Sequence, residues 1–384
     1  GPGGFAASAE LVLGGKRHLA LAEGLIAGRR LPWPSPISDV LPEIGRHRGR
    51  PVVVLASGDP FYYGAGDMLM RAFPVEEMLC LPQPSSFSLA ASRLGWSLQD
   101  VASVSLHGRA VENVVRHLQP GARILALSWD ATTPAKLAQF LAARGMGGSK
   151  LTVLEKLGGP QERVRHTAAS AFDLKDVVAL NIIALEVAAA ADAKLVPLAS
   201  GLDDSLFEHD GQLTKRDVRA ATLSSLAPCQ GELLWDVGLG AGSIAIEWLL
   251  RHPAMRAIGI EEDAARAARA ARNATALGTP DLRIVEKAAP AAFDGLPAPD
   301  AIFVGGGLSD PGLLDAAWIA LKSGGRIVAN AVSLASEARL IECFQKYGGE
   351  ITRLQVAKAG RAGAGDVLVW RQAAPVTQWR ARKP

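Results

Sequence analysis

The stretch Leu233-Leu234-Trp235-Asp236-Val237-Gly238-Leu239-Gly240-Ala241-Gly242-Ser243, continuing as Ile244-Ala245-Ile246-Glu247-Trp248, decides the fold. An apolar run ending in an acid, three alternating glycines and an apolar segment reaching Pro253 predict a buried strand, a tight turn and a helix start. In that geometry backbone N–H groups face a ligand. A dinucleotide fingerprint, G-x-G-x-x-G/A, would put its third small residue at position 243, which is Ser243. The spacing here is G-x-G-x-G, with Asp236 two residues ahead of the first glycine. Alternating glycines let the backbone pass close beneath a ligand where a Cβ would collide. Such a loop suits the amino-acid end of S-adenosylmethionine (SAM), which is compact and carries no phosphate. Asp236, Gly238, Leu239, Gly240, Ala241 and Gly242 are therefore expected to bind the cofactor, Asp236 by orienting the loop or the SAM amino group.

Reading onward, Arg256 to Ile260 predicts a second strand ending in Glu261-Glu262-Asp263. An acid roughly 20 to 25 residues past a Gly-rich turn is where a ribose diol is commonly held, and Glu261 takes that role. Glu262 and Asp263 instead favour the N-terminus of a helix over 264–276, whose Arg266, Arg269 and Arg272 read as a solvated stripe. Strands at 282–286 and 300–304 follow, the first leading to Ala289, where small residues suit an adenine ring. The second ends in Gly305-Gly306-Gly307, which offers floor space for a large flat substrate. A strand at 326–332, a helix to Tyr347 and closing strands at 351–356 and 366–370 complete seven strands of a doubly wound Rossmann-like α/β domain. Ahead of them, Thr214 is expected to N-cap a helix with Asp217 at its third position, and also to reach the ligand. The loop 361–365 looks shortened.

In the first half, strands are expected at Leu11-Val12-Leu13, 51–56, 123–128, 151–157 and 181–187, with a Pro-rich loop at 31–36. Gly1-Pro2-Gly3-Gly4 reads as a loop following a strand that is not seen, as though residues were missing at the N-terminus. The 51–56 strand runs into Gly58-Asp59-Pro60-Phe61-Tyr62-Tyr63-Gly64, and Pro84-Ser85-Ser86-Phe87-Ser88 reads as a capped helix start. An Ala run at 188–192 and an acidic loop at 197–211 place a boundary near residue 200, giving domains 1–199 and 200–384.

Gly1-Pro2-Gly3, the Gly58–Gly64 string and Pro84–Ser88 resemble motifs of the tetrapyrrole (precorrin) methyltransferases, over about residues 1–195. That resemblance implies a two-subdomain α/β fold holding SAM in a cleft, with Gly1, Pro2, Gly3, Gly58, Asp59, Ser85 and Ser86 as cofactor residues and Asp59 a candidate for the chemistry. Residues 200–384 are similar to the decarboxylating precorrin methyltransferases of cobalamin biosynthesis. Leu213-Thr214-Lys215-Arg216, Trp235–Gly238, Gly242–Trp248, Gly305–Gly307 and Val328–Val332 carry the match. The fusion implies a bifunctional enzyme with one SAM per domain. It would methylate precorrin-6 at ring carbons 5 and 15 and decarboxylate an acetate side chain to give precorrin-8. Lys215, Arg216 and Asn330 are then candidates for gripping substrate carboxylates.

Composition agrees with that reading. The 384 residues are 49% hydrophobic with a net charge of +3, enough for large cores and too neutral for a general nucleic-acid binder. Basic clusters at 46–50, at Lys215-Arg216 with Arg219, and at 380–383 together suit a small polyanion. Cys80, Cys229 and Cys343 lie far apart without ligand spacing, so neither disulfides nor a metal are expected, and a cytoplasmic location is. The apolar run 177–191 is too short to span a bilayer. The partner expected is a small tetrapyrrole, without nucleic acid or membrane, for a homo-oligomer. The rivals are a SAM-dependent methyltransferase of RNA or protein with a non-catalytic N-terminal module, and a nicotinamide dehydrogenase, which the glycine spacing disfavours.

Overall fold

A computed structural model describes residues 2–362 and 367–384. Contacts divide them into two compact units, one holding the residues up to Arg109 with Gly121–Ala189, the other Ala110–Pro120 with Ala190–Pro384.

The first unit opens with α1 (Pro2–Ser8), β1 (Leu11–Gly14), α2 (Lys16–Leu21), β2 (Arg29–Pro32), α3 (Leu41–Arg46), β3 (Val52–Leu55) and α4 (Gly66–Met70). Strands β2-β1-β3 form a parallel sheet with β1 central and fully buried. Apolar residues alternate to its two faces: Val12 joins Ala6, Ala9, Leu19 and Ile26, while Leu11 and Leu13 pack with Val40. Next come α5 (Ser86–Leu94), β4 (Val101–Ser105), β5 (Arg123–Leu127), α6 (Thr133–Ala143), β6 (Lys150–Glu155), β7 (Arg163–Ala168) and β8 (Asn181–Glu186). They build a mixed sheet ordered β4-β5-β8-β6-β7, covered by Phe87, Ala90 and Ala91 of α5.

Two expectations need correction in this unit. Pro2 and Gly3 lie in helix α1 rather than in a loop. A proline is tolerated in a first helical turn, whose N–H groups have no partner anyway, and Ala6 of the same turn of chain packs into the core. The Pro-rich loop begins later than expected, because Arg29–Pro32 pairs in parallel with β1 as an edge strand, where a missing N–H is harmless. Gly1 lies outside the described residues.

The second unit comprises α7 (Arg216–Leu226), β9 (Leu233–Val237), α8 (Ser243–Leu250), β10 (Arg256–Glu261), α9 (Ala264–Ala276), β11 (Arg283–Glu286), β12 (Ala301–Val304) and α10 (Leu313–Ala320). It continues with β13 (Arg326–Ala331), α11 (Leu334–Tyr347), β14 (Glu350–Leu354), β15 (Ala357–Ala362), β16 (Val367–Gln372) and β17 (Val376–Arg382). Its seven-stranded sheet runs β11-β10-β9-β12-β13-β17-β14, parallel except for β17. The order reverses direction at β9, so the loop after β9 stands at the switch point where open α/β sheets bind ligands. Beneath it lie Trp235, Val237, Ile258, Ile302, Ile327 and Trp379, all buried.

The seventh strand is not the 366–370 segment expected from sequence. Val367–Gln372 pairs with Ala357–Ala362 in a separate hairpin, and Val376–Arg382 inserts antiparallel between β13 and β14. Burial explains the choice: Val376, Trp379 and Ala381 are buried, whereas Val367, Leu368 and Trp370 are exposed. The supposedly shortened loop at 361–365 falls largely outside the described residues. Among the described residues no helix is long and apolar enough to cross a membrane.

Candidate functional site

The glycine loop is shaped by three backbones. Gly238, Gly240 and Gly242 all have positive φ (75°, 56° and 79°), a region costly for other residues. A Cβ on Gly238 would stand 2.7 Å from the Gly306 nitrogen, so the loops after β9 and β12 touch backbone to backbone. Gly306 thus serves the fit of the glycine loop, and Gly305–Gly307 all line the cavity. The Gly238 and Leu239 amides both donate to the Ile260 carbonyl, at 3.0 and 3.1 Å. Leu239 is buried over Gly259, whose added Cβ would come within 2.5 Å of it. Gly259 is a site-shaping residue that sequence reading passed over, although a glycine inside an apolar strand was the available signal.

Two buried acids complete the loop. Asp236 Oδ2 accepts the Ala245 amide at 3.0 Å, replacing the cap that Gly242 has no side chain to supply at the start of α8. Its Oδ1 is buried and has no hydrogen-bond partner among the described residues. Burial pushes the Asp236 carboxyl up to about 8, the Ala245 bond opposing and the Glu261 charge adding to the shift. Glu261 Oε2 accepts the Gly240 amide at 2.8 Å, and its Oε1 accepts the Asp263 amide at 3.1 Å. Glu261 therefore clamps the glycine loop to the end of β10. Asp263 stands at the N-terminus of α9 as expected, and does so as its cap, accepting from the Ala265 and Arg266 amides.

Apart from Gly242, where a Cβ would meet Ala270 and Ile246 instead, the glycine loop and its two acids open on a cavity of about 1060 Å³ that also takes in Thr214, Lys215, Ala289, Gly305–Gly307 and Asn330. A glycine cradle, an unpartnered buried carboxylate oxygen and an acid at the second strand end fit the amino-acid and ribose parts of SAM. Several expectations change here. Lys215, not Thr214, is the N-cap residue of α7, without a side-chain bond, and this puts Asp217 second in the helix. Arg216 is exposed and is not among the residues lining the cavity. The Asn330 amide is committed at both ends, donating to Thr222 Oγ1 at 2.9 Å and accepting from Gln378 at 2.8 Å.

Basic clusters that looked free are largely engaged. Arg219 is fully buried and paired with Glu247, also fully buried, at 2.6 Å. Arg266 and Arg269 both pair with Asp210, and Arg272 with Glu208, so the α9 stripe anchors the acidic 208–210 segment. Arg46, Arg48 and Arg50 pair with Glu43, Glu77 and Glu10. Arg380 pairs with Glu350, while Lys383 donates to the Ile319 and Leu321 carbonyls. Apart from Glu43, three residues from Arg46, these partners lie far away in sequence, where a local net charge does not reveal them.

In the first unit Gly58, at φ 61°, packs against the next motif: a Cβ there would sit 2.9 Å from Ser85 Cα. Ser85 caps α5 by accepting the Ser88 amide at 3.2 Å, as expected. Asp59 Oδ1 accepts the Phe61 amide at 2.8 Å, which fixes the turn. Asp59, Tyr62, Gln83, Ser85, Ser88 and Ser103 share a cleft of about 510 Å³. Ser86 begins α5 and Gly3 faces Leu25, and neither is among the cleft's lining residues.

Glycine loop, paired acids and sheet order define the second unit as a Rossmann-like SAM-dependent methyltransferase. Residues 205–383 match the precorrin methyltransferase domain, and residues 7–173 match the tetrapyrrole (corrin/porphyrin) methylases. A precorrin-6Y C(5,15)-methyltransferase [decarboxylating] of a Sinorhizobium species is 55% identical over 97% of this chain and 90% of its own length. Two shorter relatives cover less of it. The cobalt-precorrin-7 C(5)-methyltransferase of Salmonella typhimurium is 33% identical over 45% of this chain and 87% of its own. The probable cobalt-precorrin-6B C(15)-methyltransferase (decarboxylating) of Saccharolobus solfataricus is 32% identical over 44% and 90%. The chain belongs to the family of decarboxylating precorrin-6Y C(5,15)-methyltransferases.

Proposed function

We propose that the chain carries two SAM-dependent active sites, in domains 1–199 and 200–384, which methylate a reduced precorrin at ring carbons 5 and 15 and remove CO₂ from an acetate side chain. The carrying observation is the Asp236–Gly240–Glu261 arrangement, which leaves one buried carboxylate oxygen unpartnered beside the glycine loop. Decarboxylation and one methylation belong to the C-terminal domain, the other methylation to the N-terminal cleft lined by Asp59 and Ser85, with Gly58 packed against Ser85. The two shorter relatives, each named for one methylation, favour such a division. The substrate is a small tetrapyrrole rather than RNA or protein, and the enzyme works in the cytoplasm as a homo-oligomer.

The sulfonium of SAM supplies the methyl group, and the meso carbon of a reduced tetrapyrrole is enamine-like and nucleophilic. Alignment of the two can contribute about 7–11 kcal/mol without a strong base. The protein's part is orientation: Asp236 receives the SAM ammonium, and Glu261 receives the ribose hydroxyls while holding the Gly240 amide. In decarboxylation the electron pair left by CO₂ passes into the conjugated imine of the ring, so the chain needs no second cofactor for it.

Asp236 gives this reading a pH signature. Its folded value near 8 lies above the ordinary 3.8, so the empty protein loses stability as pH rises from about 4 to 8 and the unfolded carboxyl alone ionises. An ammonium beside Asp236 favours the ionised form, so SAM binding is expected to release up to one proton below pH 8 and to tighten as pH rises. Calorimetry in buffers of different ionisation enthalpy measures both effects, along with a stoichiometry of two SAM per chain. A pH-independent affinity without proton release would remove Asp236 from the ammonium site, and a stoichiometry of one would remove the second active site.

A further inference from the structure

We propose that the β15–β16 hairpin carries a carboxylate clamp, Arg371 with Lys358, which seats the substrate's acidic side chains in the C-terminal cavity. This rests on the reading of that cavity as a tetrapyrrole methyltransferase site.

Strand order separates the cavity's two ends. The glycine loop and Ala289 follow β9 and β11, and Glu261 ends β10, on one side of the switch point. Phe303, Leu354 and Val376 come from β12, β14 and β17 on the other, with Val332 directly after β13. That second end is apolar yet open, with Val332 73% exposed, and Gly305–Gly307 keep it free of bulk. An apolar floor suits the face of a flat macrocycle. Its acidic substituents then need cations, and the hairpin sets Lys358 and Arg371 opposite each other in register, both lining this cavity.

The hairpin has little reason to hold these side chains for its own stability. Arg371 donates to the Arg361 carbonyl, and among the described residues no carboxylate pairs with it. Its remaining N–H groups present a planar fork that matches a carboxylate bidentately. Lys358 meets Asp217 at 3.0 Å, both well exposed at 66% and 44%, and also lies in the field of Asp203. Such an exposed pair is weak in water and readily exchanges one carboxylate for another. Asp217, at the start of α7, thus holds the place that a substrate carboxylate takes when it enters. Lys215, beside it at the N-cap, adds a third cation to the same rim.

The full-length protein carrying Arg371→Ala, Arg371→Lys or Lys358→Met tests this, with CO₂ release from the reduced precorrin read against substrate concentration and SAM affinity measured separately. Arg371→Ala is expected to raise KM for the tetrapyrrole about ten- to a hundredfold, with kcat changed less than about threefold and SAM affinity unchanged. Arg371→Lys recovers part of the loss by keeping the charge without the fork, and Lys358→Met gives a smaller rise. Unchanged KM in both Arg371→Ala and Lys358→Met, with SAM still bound, overturns the clamp alone. Failure of the unaltered protein to bind SAM would instead overturn the reading of the cavity beneath it.

Discussion

Arg219→Ala is expected to lower the unfolding free energy of the second unit by about 3–5 kcal/mol, the cost of leaving a buried charge unpaired. Arg219 donates to Glu247 at 2.6 Å, to Asp204 at 3.1 Å and to the carbonyls of Thr214 and Leu202. Its guanidinium lies 4.8 Å from the centre of the Phe207 ring. Glu247 in turn accepts the Gly201 and Leu202 amides at 2.7 and 2.9 Å. One ion pair therefore ties the 201–207 segment to α7 and α8, directly behind the glycine loop. Denaturant unfolding followed by the buried Trp235, Trp248 and Trp379 reports the loss. A shift below about 1 kcal/mol would mean that the network carries no stability. The paired replacement Arg219→Met with Glu247→Leu strands no charge but leaves the Gly201 and Leu202 amides without their acceptor, so it is expected to recover only part of the loss.

Glu261→Ala should weaken SAM binding at the C-terminal site by more than about a hundredfold while leaving the N-terminal one, so that one tight site per chain remains where there were two, and CO₂ release falls sharply. The substitution removes the proposed ribose acceptor and frees the Gly240 and Asp263 amides that Glu261 now holds. Losing one charged hydrogen-bonding partner weakens affinity roughly ten- to a hundredfold, and losing the loop's anchor adds to that. Glu261→Gln keeps an acceptor for the Gly240 amide and is expected to lie between. Unaltered stoichiometry and affinity in Glu261→Ala would take Glu261 out of the site.

Local pattern carried much of this structure. The β9–loop–α8 unit, the α9 helix and the Ser85 cap were legible because strand period, glycine spacing and capping chemistry act over a few residues. What escaped depends on distant chain. Val376–Arg382 wins a place in the sheet over Val367–Gln372 through burial of Trp379, a competition that periodicity alone does not decide. Arg219 looked like a surface cation until Glu247, Asp204 and the Leu202 carbonyl surrounded it. Gly306 read as substrate floor, whereas its backbone also accommodates Gly238 from a strand more than sixty residues earlier. Asn330 read as a free amide, yet Thr222 and Gln378 occupy both its ends. The clamp residues Lys358 and Arg371 were invisible for the same reason, since only hairpin pairing brings them to one rim.

The central claim, two methylations and a decarboxylation by one chain, is tested most directly by mass spectrometry of the product after incubation with SAM and reduced precorrin. The account predicts a gain of two methyl groups and the loss of one CO₂ per tetrapyrrole. An unchanged tetrapyrrole in the presence of SAM-loaded enzyme, or a single methyl gained with the acetate intact at completion, would contradict it.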